Sequence, residues 1–351
     1  MTTVTTATAT DVTTTDVTTT DVTATDVTAT DVTAADVTAT AGTRVRRDLV
    51  HRAHEQEVLV SPPWREPDGG YGSRTVTTGI SDYYRDHPVP HRLDALLLIE
   101  ACRQAALSAA HAFEGLSEDI AFFFNSIDME ITDPGHLAAA DGELTIRSEF
   151  ERLRLRGDGS PKQITYTQYG TGTSGRKLVR TSMAVQGLPK DRYPELRAYQ
   201  RGGSPAPTTA ALRSGQVRRA DLGAPASVAR TRVENVAIAG VRAEAGVRTA
   251  DLAPDLANAA LFDHDYDHFP AMVLIEAGRQ LALSGTNRPA GHVVTAVRAA
   301  FEHFAELDAP IRLEARQGER WVDVDCVQDG LVVTRMAFAL SPAPGAAAGE
   351  A

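Results

Sequence analysis

The chain has 351 residues and a formal net charge of −11 at pH 7, a length that fits one or two domains. The negative balance argues against a nucleic-acid groove, which needs a positive field, and no stretch reaches the roughly 18–20 apolar residues of a membrane span. Cys102 and Cys326 are too few for a disulfide framework, so a cytoplasmic protein is expected.

In chain order, Asp recurs every fifth residue from Asp11 to Asp36 in Asp-Val-Thr units. These units carry no large side chain to pack, so residues 1–42 are expected to be a disordered tail. With no basic start and no apolar run, the tail is not a signal peptide. Residues 50–60 read as a strand ending at Ser61-Pro62-Pro63, residues 64–72 as a Pro- and Gly-rich loop, and residues 71–80 as a second strand. Residues 81–94, broken by Pro88 and Pro90, lead into a helix over about 94–112, with Asp94 as its N-cap. Strands are expected over 120–131, 143–154, 163–169 and 176–186. Residues 198–227, with Gly202, Gly203, Pro205, Pro207 and the basic run from Arg213 to Arg219, read as a linker and entry loop, with short order expected near 194–199. The plan then repeats, with 233–238 matching 57–60, a loop over 259–269, a helix over 270–284, and strands over 293–304, 311–317, 321–327 and 331–340. A small-residue tail closes the chain at 341–351. A short strand, a buried helix and a run of antiparallel strands make an α+β unit. Here it occurs twice, over 43–197 and 228–340.

The two helices carry the strongest signal. Leu96-Leu97-Leu98-Ile99-Glu100-Ala101-Cys102-Arg103-Gln104-Ala105-Ala106-Leu107-Ser108 returns as Met272-Val273-Leu274-Ile275-Glu276-Ala277-Gly278-Arg279-Gln280-Leu281-Ala282-Leu283-Ser284. Both segments are apolar nearly all round, which on a helix means burial on every side. Each still places Glu and Arg three residues apart, on one helix face. A buried ion pair costs several kcal/mol, on the order of its desolvation, unless it is closely matched. Its recurrence marks an internal duplication with a polar group inside each core.

The loop before the second helix reads Asp263-His264-Asp265-Tyr266-Asp267-His268-Phe269-Pro270-Ala271 and runs straight into Met272–Gln280. Together they resemble the signature of the A-factor biosynthesis proteins, tandem hot-dog enzymes of actinobacteria. The resemblance spans both repeats, about 51–340, and includes the opening Val50-His51-Arg52 and Glu57-Val58-Leu59. Asp265 and Ala271 stand where the family carries Pro and Gly. The first copy, His87-Pro88-Val89-Pro90-His91-Arg92-Leu93-Asp94-Ala95, has one extra residue and Asp94 where Pro is expected. The resemblance implies a double hot-dog fold, in which a sheet wraps each central helix. It also implies an acyltransferase that joins a β-ketoacyl group, delivered on acyl carrier protein, to dihydroxyacetone phosphate. The product would be the precursor of a γ-butyrolactone or furan-type signalling molecule. A homodimer is common among hot-dog proteins.

That chemistry needs a base for the attacking hydroxyl, a polarised thioester carbonyl and a phosphate clamp. A carboxylate at the desolvated end of an apolar tunnel suits the base, because burial raises its pKa toward the working pH. Glu276, and Glu100 by symmetry, are the candidates. The free N–H groups of a helix N-terminus, at 271–273 and 95–97, can polarise the carbonyl. Arg279 and Arg103 would orient the Glu or fork onto phosphate. His264, His268, His87 and His91, with Gln280 and Gln104, are candidates for substrate binding. The second copy keeps Phe269-Pro270-Ala271, so Glu276 and Arg279 come first. Plainer readings stand beside these: a buried ion network across the two helices, glutamines that satisfy backbone groups, loop hydrogen bonds for the histidines, and Cys102 as a small buried side chain. His-x-x-x-His can ligate zinc, but here it sits on a Pro-containing loop, so neither metal nor cofactor is expected. Competing functions are a carrier-protein dehydratase or thioesterase, and a non-catalytic acyl-binding protein.

Overall fold

The computed structural model describes residues 42–88, 94–139, 143–217 and 219–343. The Asp-Val-Thr tail through residue 41, His91 and residues 344–351 lie outside the described residues. The elements run β1 (Trp64–Arg65), β2 (Tyr71–Arg74), α1 (Ala95–Phe113), β3 (Ile120–Ile131), α2 (Pro134–Ala139), β4 (Thr145–Leu155), β5 (Pro161–Thr171) and β6 (Lys177–Pro189). Then come α3 (Tyr193–Gln200), α4 (Thr209–Arg213), β7 (Ile238–Glu244), β8 (Val247–Leu252), α5 (Ala271–Leu283), β9 (His292–Phe301), β10 (Arg312–Gln317), β11 (Val322–Gln328) and β12 (Leu331–Pro342).

Among the described residues the strands form one antiparallel sheet in the order β1-β2-β4-β5-β6-β3-β9-β12-β11-β10-β8-β7. The order reads the same from either edge once β1–β6 are matched with β7–β12, so the sheet has two related halves. The seam is β3 against β9, with Asp128 opposite Arg298 and their side chains 3.3 Å apart. Alternation drives each strand's orientation. On β11, Val322, Val324 and Cys326 face inward, while Asp323 is exposed. Each half wraps one apolar helix, α1 or α5. Asp94 caps α1 through its side chain, accepting from Leu96 N at 2.7 Å. This is the double hot-dog arrangement. No helix among the described residues is long and apolar enough to cross a membrane.

The structure corrects several expectations. Residues 50–60 are not a strand. They form two short 3-10 helices, Arg47–Val50 and Glu55–Glu57, and His51 between them takes a left-handed φ of 53°. The second half repeats this turn with Pro225–Val228, Val233–Asn235 and Ala229 at φ 57°. The reason lies in the next residue: Arg52 and Arg230 must turn inward to reach the helix carboxylates, which an extended strand would not allow. The 71–80 strand is confined to β2, because Ser81 caps a 3-10 turn at Asp82–Arg85. The short order expected near 194–199 is the helix α3, and the linker itself holds one short helix, α4. The β7–β8 hairpin is an addition, closed by Ala245 and Gly246, both at positive φ.

Candidate active site

The helix carboxylates are saturated. Glu100 receives Arg103 Nε at 2.9 Å on one oxygen. Its other oxygen takes Arg103 Nη2 at 2.7 Å, Arg52 Nε at 3.0 Å and Gln104 Nε2 at 2.7 Å. Glu276 repeats the pattern with Arg279 at 2.7 Å on each oxygen, Arg230 Nε at 2.9 Å and Gln280 at 2.6 Å. Burial pushes both carboxyl groups up, but two guanidinium charges each outweigh it, and both settle at about 2. The expected base pKa near neutrality is therefore reversed. The arginines favour the ionised form of both glutamates, which in turn anchor the guanidinium groups. The two Glu–Arg pairs do not meet each other, but Arg230 carries the second cluster on to Asp94, the N-cap of α1 in the first half.

Gln104 and Gln280 are also redirected. Their amide oxygens accept from Leu59 N at 2.7 Å and Ala237 N at 2.9 Å. Their amide nitrogens donate to Glu57 O and Asn235 O, each at 2.7 Å. Both side chains are thus spent on tying the helix to the preceding turn and are closed to substrate. Cys102 is fully buried, and desolvation lifts its thiol to about 12, which fits a small core residue rather than a nucleophile.

A cavity of about 990 Å³ opens beside the Glu100 cluster. Its wall combines Arg52, Glu100 and Arg103 from the first half with residues 264–272 from the second. An apolar arm of Phe122, Phe150, Ile164, Tyr166 and Val185 continues it. Glu276 and Arg279, favoured from sequence, do not line it. They are sealed in the second half, where two first-half residues fill the equivalent space. The ring of Tyr83 lies 4.3 Å from the Arg230 guanidinium. The Asp94 carboxylate sits 3.3 Å from Arg230 Nη2 and 3.2 Å from His87 Nε2. Asp86 and Asp263 fix the correspondence. Asp263 accepts from Ala53 N and His54 N, and Asp86 accepts from Thr231 N and Arg232 N. Three residues before each aspartate stand Tyr83, which fills the closed site, and Ala260, which lines the open one. His87 is buried in the closed site, its pKa lowered by burial, and is out of reach of the cavity.

The two helix starts differ accordingly. The Asp94 carboxylate takes the Leu96 N–H at the start of α1, whereas α5 begins after Pro270 with no side-chain cap. The N–H groups of Ala271 and Met272 find no acceptor among the described residues, and both residues line the cavity. His264 and His268 line it too. His268 Nδ1 is 2.7 Å from Asp267 Oδ1, which leaves Nε2 for a ligand. Asp267 is itself braced by Tyr193 Oη at 2.6 Å and Arg197 Nε at 2.8 Å. Burial opposes its ionisation, but His268, Tyr193 and Arg197 hold it well below the usual carboxylate range. Arg197 continues to Glu306 at 2.7 Å, so the linker helix α3 buttresses the histidine loop.

Sequence reasoning missed Arg52, Arg230 and Asp267. The first two were within reach: aligning the repeats a few residues further upstream pairs Val50-His51-Arg52 with Val228-Ala229-Arg230. Asp267 was not singled out, because Tyr193 and Arg197, which brace it, lie on α3.

A family profile described as the A-factor biosynthesis hotdog domain matches residues 32–174 and 217–338. A "2-oxo-3-(phosphooxy)propyl 3-oxoalkanoate synthase" of Streptomyces coelicolor is 30% identical over 275 residues, 76% of this chain and 80% of that protein. One of the same name from Streptomyces virginiae is 30% identical over 306 residues, 82% of this chain and 95% of that protein. Among solved structures, the dehydratase domain of RzxB from Pseudomonas fluorescens is similar at 13% identity, covering 82% of this chain and 99% of that one, with a TM-score of 0.46. The chain belongs to the A-factor biosynthesis hotdog family.

Proposed function

We propose that this chain is an acyltransferase that esterifies the hydroxyl of dihydroxyacetone phosphate with a 3-oxoacyl group. The observation that carries the reading is the large cavity beside Glu100. In a member of this family, it joins the Glu100–Arg103–Arg52 cluster to the uncapped start of α5 and to the Asp267–His268 pair. The name of the relatives describes the ester of these two parts.

In this reading the acyl chain lies in the apolar arm, with the thioester carbonyl at the N–H groups of Ala271 and Met272. His268, oriented by Asp267, takes the hydroxyl proton at Nε2 as the oxygen attacks the carbonyl carbon. The tetrahedral oxyanion is held by the α5 N–H groups. On collapse the C–S bond breaks, and the leaving thiolate recovers the proton from His268. Glu100 keeps Arg103 and Arg52 on the cavity wall and takes no proton. Acyl carrier protein as the donor and a cytoplasmic setting complete the reading, and light scattering tests the expected homodimer.

The test is incubation of the purified protein with 3-oxoacyl carrier protein and dihydroxyacetone phosphate, followed by mass spectrometry. A phosphorylated 3-oxoacyl ester is expected. Its absence at every acyl length tried would overturn the proposal.

A further inference from the structure

The cavity is lined by many acids, yet nearly all their charge is already answered. Asp48 pairs with Arg46, and Glu118 lies 3.7 Å from the same arginine. Glu100 is saturated, Asp267 is held by Arg197, and Glu302 pairs with Arg335. Asp265 accepts from Thr209 Oγ1 at 2.9 Å and Ala210 N at 2.7 Å. Lys190, by contrast, lines the cavity and makes no ion pair among the described residues. Arg103 spends Nε and Nη2 on Glu100 and Val50 O, and its Nη1 has no protein partner among the described residues. His51 lines the same wall, and its buried Nε2 has no partner either.

We propose that Lys190, Arg103 and His51 form the subsite that takes the phosphate group of the hydroxyl substrate. The inference rests on the acyl-transfer reading and deepens it. Lys190 and Arg103 supply two positive charges against a dianion, one as a mobile point charge and one as a fork. Burial, then the nearby charges of Arg103, His111, Lys190 and His264, push the imidazole of His51 down to about 3. His51 is therefore neutral at working pH and offers a hydrogen bond without a third charge. Arg103 Nη2 reaches Val50 O, next to His51, at 2.9 Å. Lys190 N donates to Asp119 O just before β3, the strand whose Phe122 ring lies 6.0 Å from the His51 ring.

The closed half supports the assignment by contrast. The left-handed turn that carries His51 carries Ala229 in the second half. Lys190 follows the end of β6 at Pro189, and the residue after the end of β12 at Pro342 is the buried Ala343. Both groups are thus present only on the side with the cavity, although the backbone is duplicated.

A phosphate could also arrive as the phosphodiester of the carrier protein's prosthetic arm, and the choice of donor separates the two sources. With a 3-oxoacyl N-acetylcysteamine thioester, only the triose brings phosphate. Lys190→Gln should then raise the KM for dihydroxyacetone phosphate about tenfold or more, with a smaller change in kcat. The preference for dihydroxyacetone phosphate over dihydroxyacetone should shrink by the same factor. An unchanged KM and preference, or a shift seen only with the carrier-bound donor, would overturn the subsite. Calorimetry with dihydroxyacetone phosphate reads the subsite without turnover. Weaker binding by Lys190→Gln supports it, and equal binding overturns it. A wild-type protein that binds the triose through Lys190 but forms no ester would overturn the acyl-transfer reading alone.

Discussion

At the scale of single residues, the two halves differ most where a titratable group meets a neutral one. Asn235 donates from Nδ2 to Asp86 at 2.7 Å, satisfying a carboxylate that crosses between halves. Its counterpart is Glu57, which faces Asp263. Burial pushes Glu57 up to about 7, with Asp263 adding to the push against the pull of Arg52. A folded pKa above the unfolded 4.5 means this contribution is fully present below pH 4.5 and is lost as pH rises through 7. Glu57→Gln, which copies the amide of the other half, should therefore unfold at higher denaturant than wild type at pH 8, with little difference at pH 5. Equal midpoints at pH 8 would contradict this account of Glu57. The Glu–Arg spacing on each helix was legible because it lies within one element and recurs. The second arginine of each cluster was not singled out, because Arg52 lies 48 positions from Glu100 and their meeting depends on a turn that reads as a strand.

At the scale of elements, the copied helices are not interchangeable. Gly278 stands where α1 carries Cys102. A Cβ at Gly278 would meet Met336 Cε at 2.6 Å and the Phe338 ring at 3.0 Å. Gly278→Cys should therefore overpack the second half and cost about 1–3 kcal/mol, read by denaturant unfolding. A variant as stable as wild type would mean that β12 gives way freely. Helices and long strands were readable from periodicity, since burial on all sides or on alternate residues leaves a mark in composition. The start of α5 was less so. Pro270 looks like an ordinary helix opening, and its significance appears only beside Asp94, which caps α1 with a carboxylate where α5 leaves N–H groups free.

At the scale of the whole molecule, duplication has produced one open site and one closed site. The fold was legible from the repeat itself, but the choice between the sites was not. Preservation of Phe269-Pro270-Ala271 pointed to Glu276, the helix that follows it in sequence. In space, that approach faces the other helix, so the second half's loop serves the first half's glutamate cluster. No local pattern encodes this exchange, because it depends on how β3 and β9 join the halves. The central claim is that this one composite cavity does the chemistry. The most direct test is the initial rate of ester formation for two histidine variants at equivalent loops, each checked for folding. His268→Ala should lose about 10²–10⁴-fold in kcat, while His87→Gln should stay within a few-fold of wild type. A His268→Ala enzyme that turns over normally, or a folded His87→Gln enzyme that is inactive, would contradict the account.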